Sequence, residues 1–153
     1  NDDKGRELQQ QVDPTKLMND FFAAIEFMQS YPQATGKVGI TGFCYGGGVS
    51  NAAAVAYPKL ACAVPFYGRQ APTADVAKIK APLLLHYAEL DTRINEGWPA
   101  YEAALKANNK VYEAYIYPGV NHGFHNDSTP RYDKSAADLA WQRTLKWFDK
   151  YLS

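Results

Sequence analysis

Neither sign of charge is in excess: 16 Lys and Arg face 16 Asp and Glu across 153 residues, a formal net charge of zero. Neutralising a phosphate backbone needs a basic surplus, so nucleic acid is excluded as the main partner. The basic residues are also scattered, which leaves no membrane or heparin patch. No run of about 18 apolar residues exists, so no helix is expected to span a membrane. The opening residues, Asn1-Asp2-Asp3-Lys4-Gly5-Arg6-Glu7, lead into no apolar stretch and do not read as a signal peptide. An initiator Met is absent, and the expectation is a piece of something longer. Repeats and low-complexity tracts are missing too. Cysteine is scarce: Cys44 and Cys62 are too few for a disulfide framework. They read as two reduced thiols in a cytoplasmic protein, with a single pairing as the alternative in a secreted one. Asn126-Asp127-Ser128 matches a glycosylation triplet that arises readily by chance and carries no weight.

What is present is an ordinary globular composition, 46% apolar, 14% aromatic and 21% charged. The length suits one domain with a sizeable core. Residues 1–12 are polar and expected to be a flexible segment. Asp13-Pro14 then reads as an N-cap with proline at the first helical position. Leu17, Phe21, Ala24 or Ile25, and Met28 recur at helical spacing up to about Tyr31, where Pro32 stops the helix. Apolar runs predict strands over 38–41, 61–66, 82–87 and 111–117. Between and after them, helices are predicted over 49–57, 98–107 and from Asp133 or Ser135 to 152. The expected apolar stripe of that last helix is Ala137, Trp141, Leu145, Phe148 and Leu152. Strands without clean alternation, separated by helices, predict an α/β fold with a mostly parallel sheet covered on both faces. Ligands of such sheets sit at the carboxyl ends of the strands.

The chemistry-bearing residues lie there. Gly42-Phe43-Cys44-Tyr45-Gly46 is the thiol form of the G-x-S-x-G strand-to-helix turn. Such a turn strains the central residue and lifts its side chain above the sheet edge. A helix N-terminus at that place favours a thiolate and points backbone N–H groups at a developing oxyanion. The competing reading is a buried structural cysteine. Gly46-Gly47-Gly48 lacks the Lys-Ser/Thr of a phosphate loop.

Asp91 follows the third strand and fits the acid that orients a histidine, with Glu89 as its rival. His122 follows the fourth strand and fits a general base, with His125 as its rival. A metal pair of His122 and His125 with His86 as third ligand is the alternative, although His86 sits inside an apolar strand and reads as a satisfied core residue. Nucleophile, acid and base in the order 44, 91, 122, each after a successive strand, is the α/β-hydrolase order.

The sequence resembles the dienelactone hydrolase (carboxymethylenebutenolidase) family. The resemblance is carried by Gly42-Phe43-Cys44-Tyr45-Gly46-Gly47, by His86 through Ile94, by His122-Gly123-Phe124, and by the tail from Tyr132-Asp133 through Leu145. It runs from about Asp13 to the C-terminus. It implies a Cys44–Asp91–His122 triad hydrolysing an ester or lactone with no metal or organic cofactor, and it gives the backbone N–H of Tyr45 as one oxyanion donor. The implied partner is a small ester or lactone.

Two departures modify that expectation. In the family several strands precede the elbow, whereas 41 residues precede Gly42 here, with one helix and no convincing strand. Residues 13–153 are therefore expected to be the C-terminal part of an α/β-hydrolase domain, without the second oxyanion donor and without the glutamate that family members place near the thiol. One lost donor lowers the rate about 10²- to 10³-fold. The first strand becomes a sheet edge, so self-association or binding to a missing N-terminal half is expected. Second, the family's carboxylate-holding arginine lies a few residues past the histidine, and the position four beyond His122 is Asn126. Arg93 and Arg131 are the nearby candidates for substrate binding. A non-catalytic binding or assembly module is the alternative function. A redox role is disfavoured because there is no Cys-x-x-Cys.

Overall fold

The computed structural model describes residues 2–153 and divides into two compact units after Gly36. The first unit holds α1 (Asp2–Gln10) and α2 (Pro14–Ser30). The flexible segment expected over residues 1–12 is thus helical over Asp2–Gln10, with a Lys4–Glu7 ion pair one turn apart on its surface. The cap expected at Asp13 is present: its carboxylate accepts from the Thr15 and Lys16 N–H groups.

The second unit carries four strands, β1 (Gly39–Phe43), β2 (Cys62–Phe66), β3 (Leu83–Ala88) and β4 (Tyr112–Tyr117). They form one parallel sheet in the order β1-β2-β3-β4. Between them run α3 (Tyr45–Ala56), a 3-10 segment over Thr73–Lys78, the short α4 (Thr92–Asn95) and α5 (Trp98–Ala107), and α6 (Lys134–Leu152) closes the chain. The α/β class and the parallel sheet are those expected. Two short elements, Thr73–Lys78 and α4, carry too few apolar repeats to be read from periodicity.

Every side chain of β2 and β3 is buried, the mark of strands covered on both faces. Cys62, Val64, Phe66 and Leu84 join Ala140 and Trp147 of α6 in one core cluster. On the opposite face Tyr87 meets Trp98 of α5 at 5.0 Å, and the Tyr101 hydroxyl of α5 donates to Asn51 of α3 at 3.3 Å. The buried residues of α6 are Ala136, Ala137, Ala140, Thr144 and Trp147; of the stripe expected, Ala137 is buried and Phe148 and Leu152 pack against the core, while Trp141 and Leu145 are exposed. Small residues let the helix lie close to the sheet, and a polar contact at Thr144 fixes its rotation.

That contact belongs to a chain of hydrogen bonds with only one consistent set of proton positions. Thr144 donates to the Ala140 carbonyl at 2.9 Å, so its oxygen accepts from Nε2 of His86 at 3.1 Å. Nδ1 of His86 must then accept from the Tyr117 hydroxyl at 3.0 Å, whose oxygen accepts from Arg143 at 3.1 Å. Arg143 in turn lies 3.6 Å above the Tyr115 ring. A neutral His86 satisfies every partner and a charged one does not. Burial, the Arg143 charge and His125 push its pKa down to about 3. His86 is the satisfied core histidine that its strand implied.

The unfolded chain binds this proton below pH 6.5 and the folded chain only near pH 3. Stability therefore falls as pH drops through that window, by up to about 1.4 kcal/mol per pH unit from this group. Urea unfolding at pH 7 and pH 5 should show a smaller pH effect in His86→Gln than in the parent, whatever the absolute stability of the variant.

Candidate active site at the carboxyl ends of the strands

β1 leads straight into α3 with Cys44 between them at φ 56°, ψ −113°. A non-glycine residue there holds about 1–3 kcal/mol of backbone strain. The corner closes because Gly42 has no side chain: a Cβ would stand 2.1 Å from the Gly46 carbonyl oxygen. Gly47 and Gly68 let α3 approach the end of β2, where a Cβ on Gly68 would lie 2.2 Å from the Gly47 carbonyl carbon. The Cys44 N–H donates to Phe66 O at 3.1 Å, tying the corner to the neighbouring strand. Cys44 is exposed, whereas Cys62 is buried on β2 with its pKa raised to about 11 by desolvation. Both are free thiols. Tyr45 is the first residue of α3, so its N–H belongs to the turn that follows the sulfur.

Asp91 caps α4 through the Ile94 N–H and is 5% exposed. Its other oxygen, Oδ2, lies 2.5 Å from Nδ1 of His122. A carboxylate only accepts, so Nδ1 carries the proton, and Nε2 of the neutral ring is left as an acceptor. Glu89, the rival acid, is exposed and accepts from the Gly119 N–H at 2.7 Å, holding the turn after β4. His125, the rival base, packs against Phe43 at 5.0 Å and Phe66 at 5.2 Å, and burial lowers its pKa. Among the described residues no group of three or more His, Cys, Asp or Glu could hold a metal ion. His86 has both ring nitrogens engaged elsewhere. No helix among the described residues is long and apolar enough to cross a membrane.

A cleft of about 460 Å³ opens over this corner, lined by Cys44, His122, Tyr67, Phe43, His125 and Arg131 together with Gly123, Asn126 and Asp127. Of the two candidate arginines, Arg131 reaches the cleft, while Arg93 sits exposed on α4 and is not among its lining residues. Tyr67 was missed from sequence. It stands directly after β2, and the same rule that marks Cys44, Asp91 and His122, a residue just past a strand end, could have found it.

A parallel sheet with a strained residue between its strand and helix, and an acid and a histidine after later strands, defines the α/β-hydrolase class. The chain belongs to the dienelactone hydrolase family, whose model matches residues 2–152. It is 36% identical over 149 residues to the "Putative carboxymethylenebutenolidase" of Saccharolobus solfataricus, covering 93% of this chain and 57% of that protein. The chain thus spans little more than half the length of that curated relative. The solved structure of a "Putative Dienelactone Hydrolase" from Klebsiella pneumoniae superposes with a TM-score of 0.83 at 27% identity, over 93% of this chain and 64% of that one. Dienelactone hydrolase from Anabaena variabilis has the same fold, with a TM-score of 0.72 at 24% identity, over 99% of this chain and 68% of that one.

The two elbow glycines make opposite demands. Gly42→Ala should lose about 3 kcal/mol, because the new methyl meets backbone that cannot yield. Gly46→Ala should stay within about 1 kcal/mol of the parent, since a Cβ there meets nothing within 4 Å and alanine favours the helix. Urea unfolding of the two variants checks the contrast.

Proposed function

We propose that the chain carries the hydrolytic centre of a carboxylic ester or lactone hydrolase, with Cys44 as nucleophile, His122 as base and Asp91 as the acid that orients it. The observation that carries this reading is the 2.5 Å contact of Asp91 with Nδ1 of His122, in a histidine that shares a cleft with an exposed cysteine at a strained corner.

Nε2 of His122 takes the Cys44 proton, and the buried carboxylate stabilises the resulting imidazolium. The thiolate attacks the substrate carbonyl carbon. The carbonyl electron pair moves onto oxygen, beside the Tyr45 N–H at the start of α3. Collapse breaks the carbon–oxygen bond, and the leaving alkoxide receives the proton from Nε2. Water then gives a proton to Nε2 and attacks the thioester. A second collapse releases the acid, and the sulfur recovers its proton. For a lactone both products are one ring-opened molecule. In this reading Arg131 is the cleft's cation for an anionic group on the substrate, and no metal or organic cofactor takes part.

The family of the chain and the relatives named for lactone and butenolide chemistry support the substrate class. A non-catalytic module is disfavoured by the same contact, because binding alone needs no imidazole held by a buried carboxylate.

Mixing with p-nitrophenyl acetate should release a burst of nitrophenol as Cys44 is acylated. Cys44→Ala should abolish it and Cys62→Ala should leave it intact. Asp91→Asn should slow acylation by about 10²- to 10⁴-fold through loss of the imidazole's orientation. A burst that survives Cys44→Ala contradicts the assignment.

A further inference from the structure

Asp91 and His122 are carried on two neighbouring turns, one after β3 and one after β4. Backbone joins these turns twice: the Glu89 N–H donates to Tyr117 O at 3.0 Å, and the Leu90 N–H donates to Val120 O at 3.0 Å. A third link comes from a side chain that the triad leaves unused. Oε2 of Glu89 accepts from the Gly119 N–H at 2.7 Å, although Glu89 is exposed. Gly119 lies at φ 69°, in the left-handed region that suits glycine.

The turn of the acid is also fixed from its other side. Asn95 Nδ2 donates to Ala88 O at 2.7 Å and to Glu89 O at 3.2 Å, and the Asn95 N–H donates to Asp91 O at 2.9 Å. The base is held differently. His122 stands past Gly119 on a stretch that leaves β4 at Tyr117 and lies outside any helix or strand. Such a stretch moves more readily than the strand that feeds it. The 2.5 Å contact of His122 with Asp91 tolerates little movement, because hydrogen bonds weaken steeply once bent. The Glu89 carboxylate ties the middle of that stretch to the turn that carries Asp91.

We propose that Glu89 is a positioning residue: its carboxylate holds the Gly119 turn and so keeps His122 aligned with Asp91. Glu89 is not among the residues lining the cleft, so it works through the histidine and not on the substrate. The proposal rests on the reading of Asp91 and His122 as acid and base, and adds to it the side chain that keeps the two together.

The nitrophenol burst of the full chain, followed by stopped flow over a range of ester concentrations, separates the acylation rate from the concentration at half-saturation. Glu89→Ala should lower the rate about 10-fold and leave half-saturation unchanged. Glu89→Gln should restore the rate, since an amide oxygen still accepts from Gly119 although the charge is gone. In an Asp91→Asn background Glu89→Ala should add little, because the pair it aligns is already broken. An unchanged rate in Glu89→Ala, a Glu89→Gln as slow as Glu89→Ala, or the same loss on top of Asp91→Asn overturns the proposal. Proton NMR reads the same link with no ester present. The Nδ1 proton shared by His122 and Asp91 should give a far-downfield resonance that Asp91→Asn removes. Its exchange with water should quicken in Glu89→Ala and return to the parent rate in Glu89→Gln. A missing burst with this exchange response intact removes the hydrolase reading alone; an intact burst with neither rate nor exchange altered removes only the role of Glu89.

Discussion

The Gly46 carbonyl oxygen stands where a side chain on Gly42 would begin, 2.1 Å from the position of its Cβ. That single close approach lets the chain leave β1 and enter α3 with one residue between them. The intervening residue pays in backbone strain and takes φ 56°. Its sulfur is exposed, while the other thiol of the chain lies buried on the next strand. The remaining cleft residues are arranged around this corner by the parallel sheet. Each strand end delivers one of them: Tyr67 after β2, Asp91 after β3, His122 after β4.

Three histidines in one unit have three chemical characters, and neighbours decide each. His122 meets a buried carboxylate, which fixes its tautomer and leaves one nitrogen free to accept. His86 donates to one hydroxyl, that of Thr144, and accepts from the other, that of Tyr117, so it is held neutral. His125 meets the rings of Phe43, Phe66 and Trp141, and burial disfavours its charged form. The residue type is the same in all three, and the partner sets what it can do.

The parallel sheet was legible in the sequence because Leu83-Leu84-Leu85 and Ala61 through Val64 are apolar on both faces, which only a doubly covered strand tolerates. Cys44, Asp91 and His122 were legible as candidates because parallel sheets bring the residues just after strands to one edge. The face of α6 was legible only in part: Ala137, Phe148 and Leu152 do turn to the core. Trp141 and Leu145 looked like core by hydrophobicity, yet Thr144 is the buried residue, since it completes the hydrogen bonding of a histidine 58 positions earlier. A long-range polar partner leaves no periodic trace. Tyr67 escaped for a similar reason: one tyrosine among eleven carries no spacing signal. The helix over Asp2–Gln10 was hidden by its polar composition, which reads as a loop when no apolar stripe is present.

The central claim is that the Cys44 sulfur forms the covalent bond to the acyl group. Acid-quenching the protein within its first turnover of an activated ester and mapping the added mass by peptide sequencing tests this most directly. The account predicts one acyl group on the peptide containing Cys44, lost when the protein is left to turn over. An adduct confined to another residue, or no adduct while ester is consumed, would contradict it.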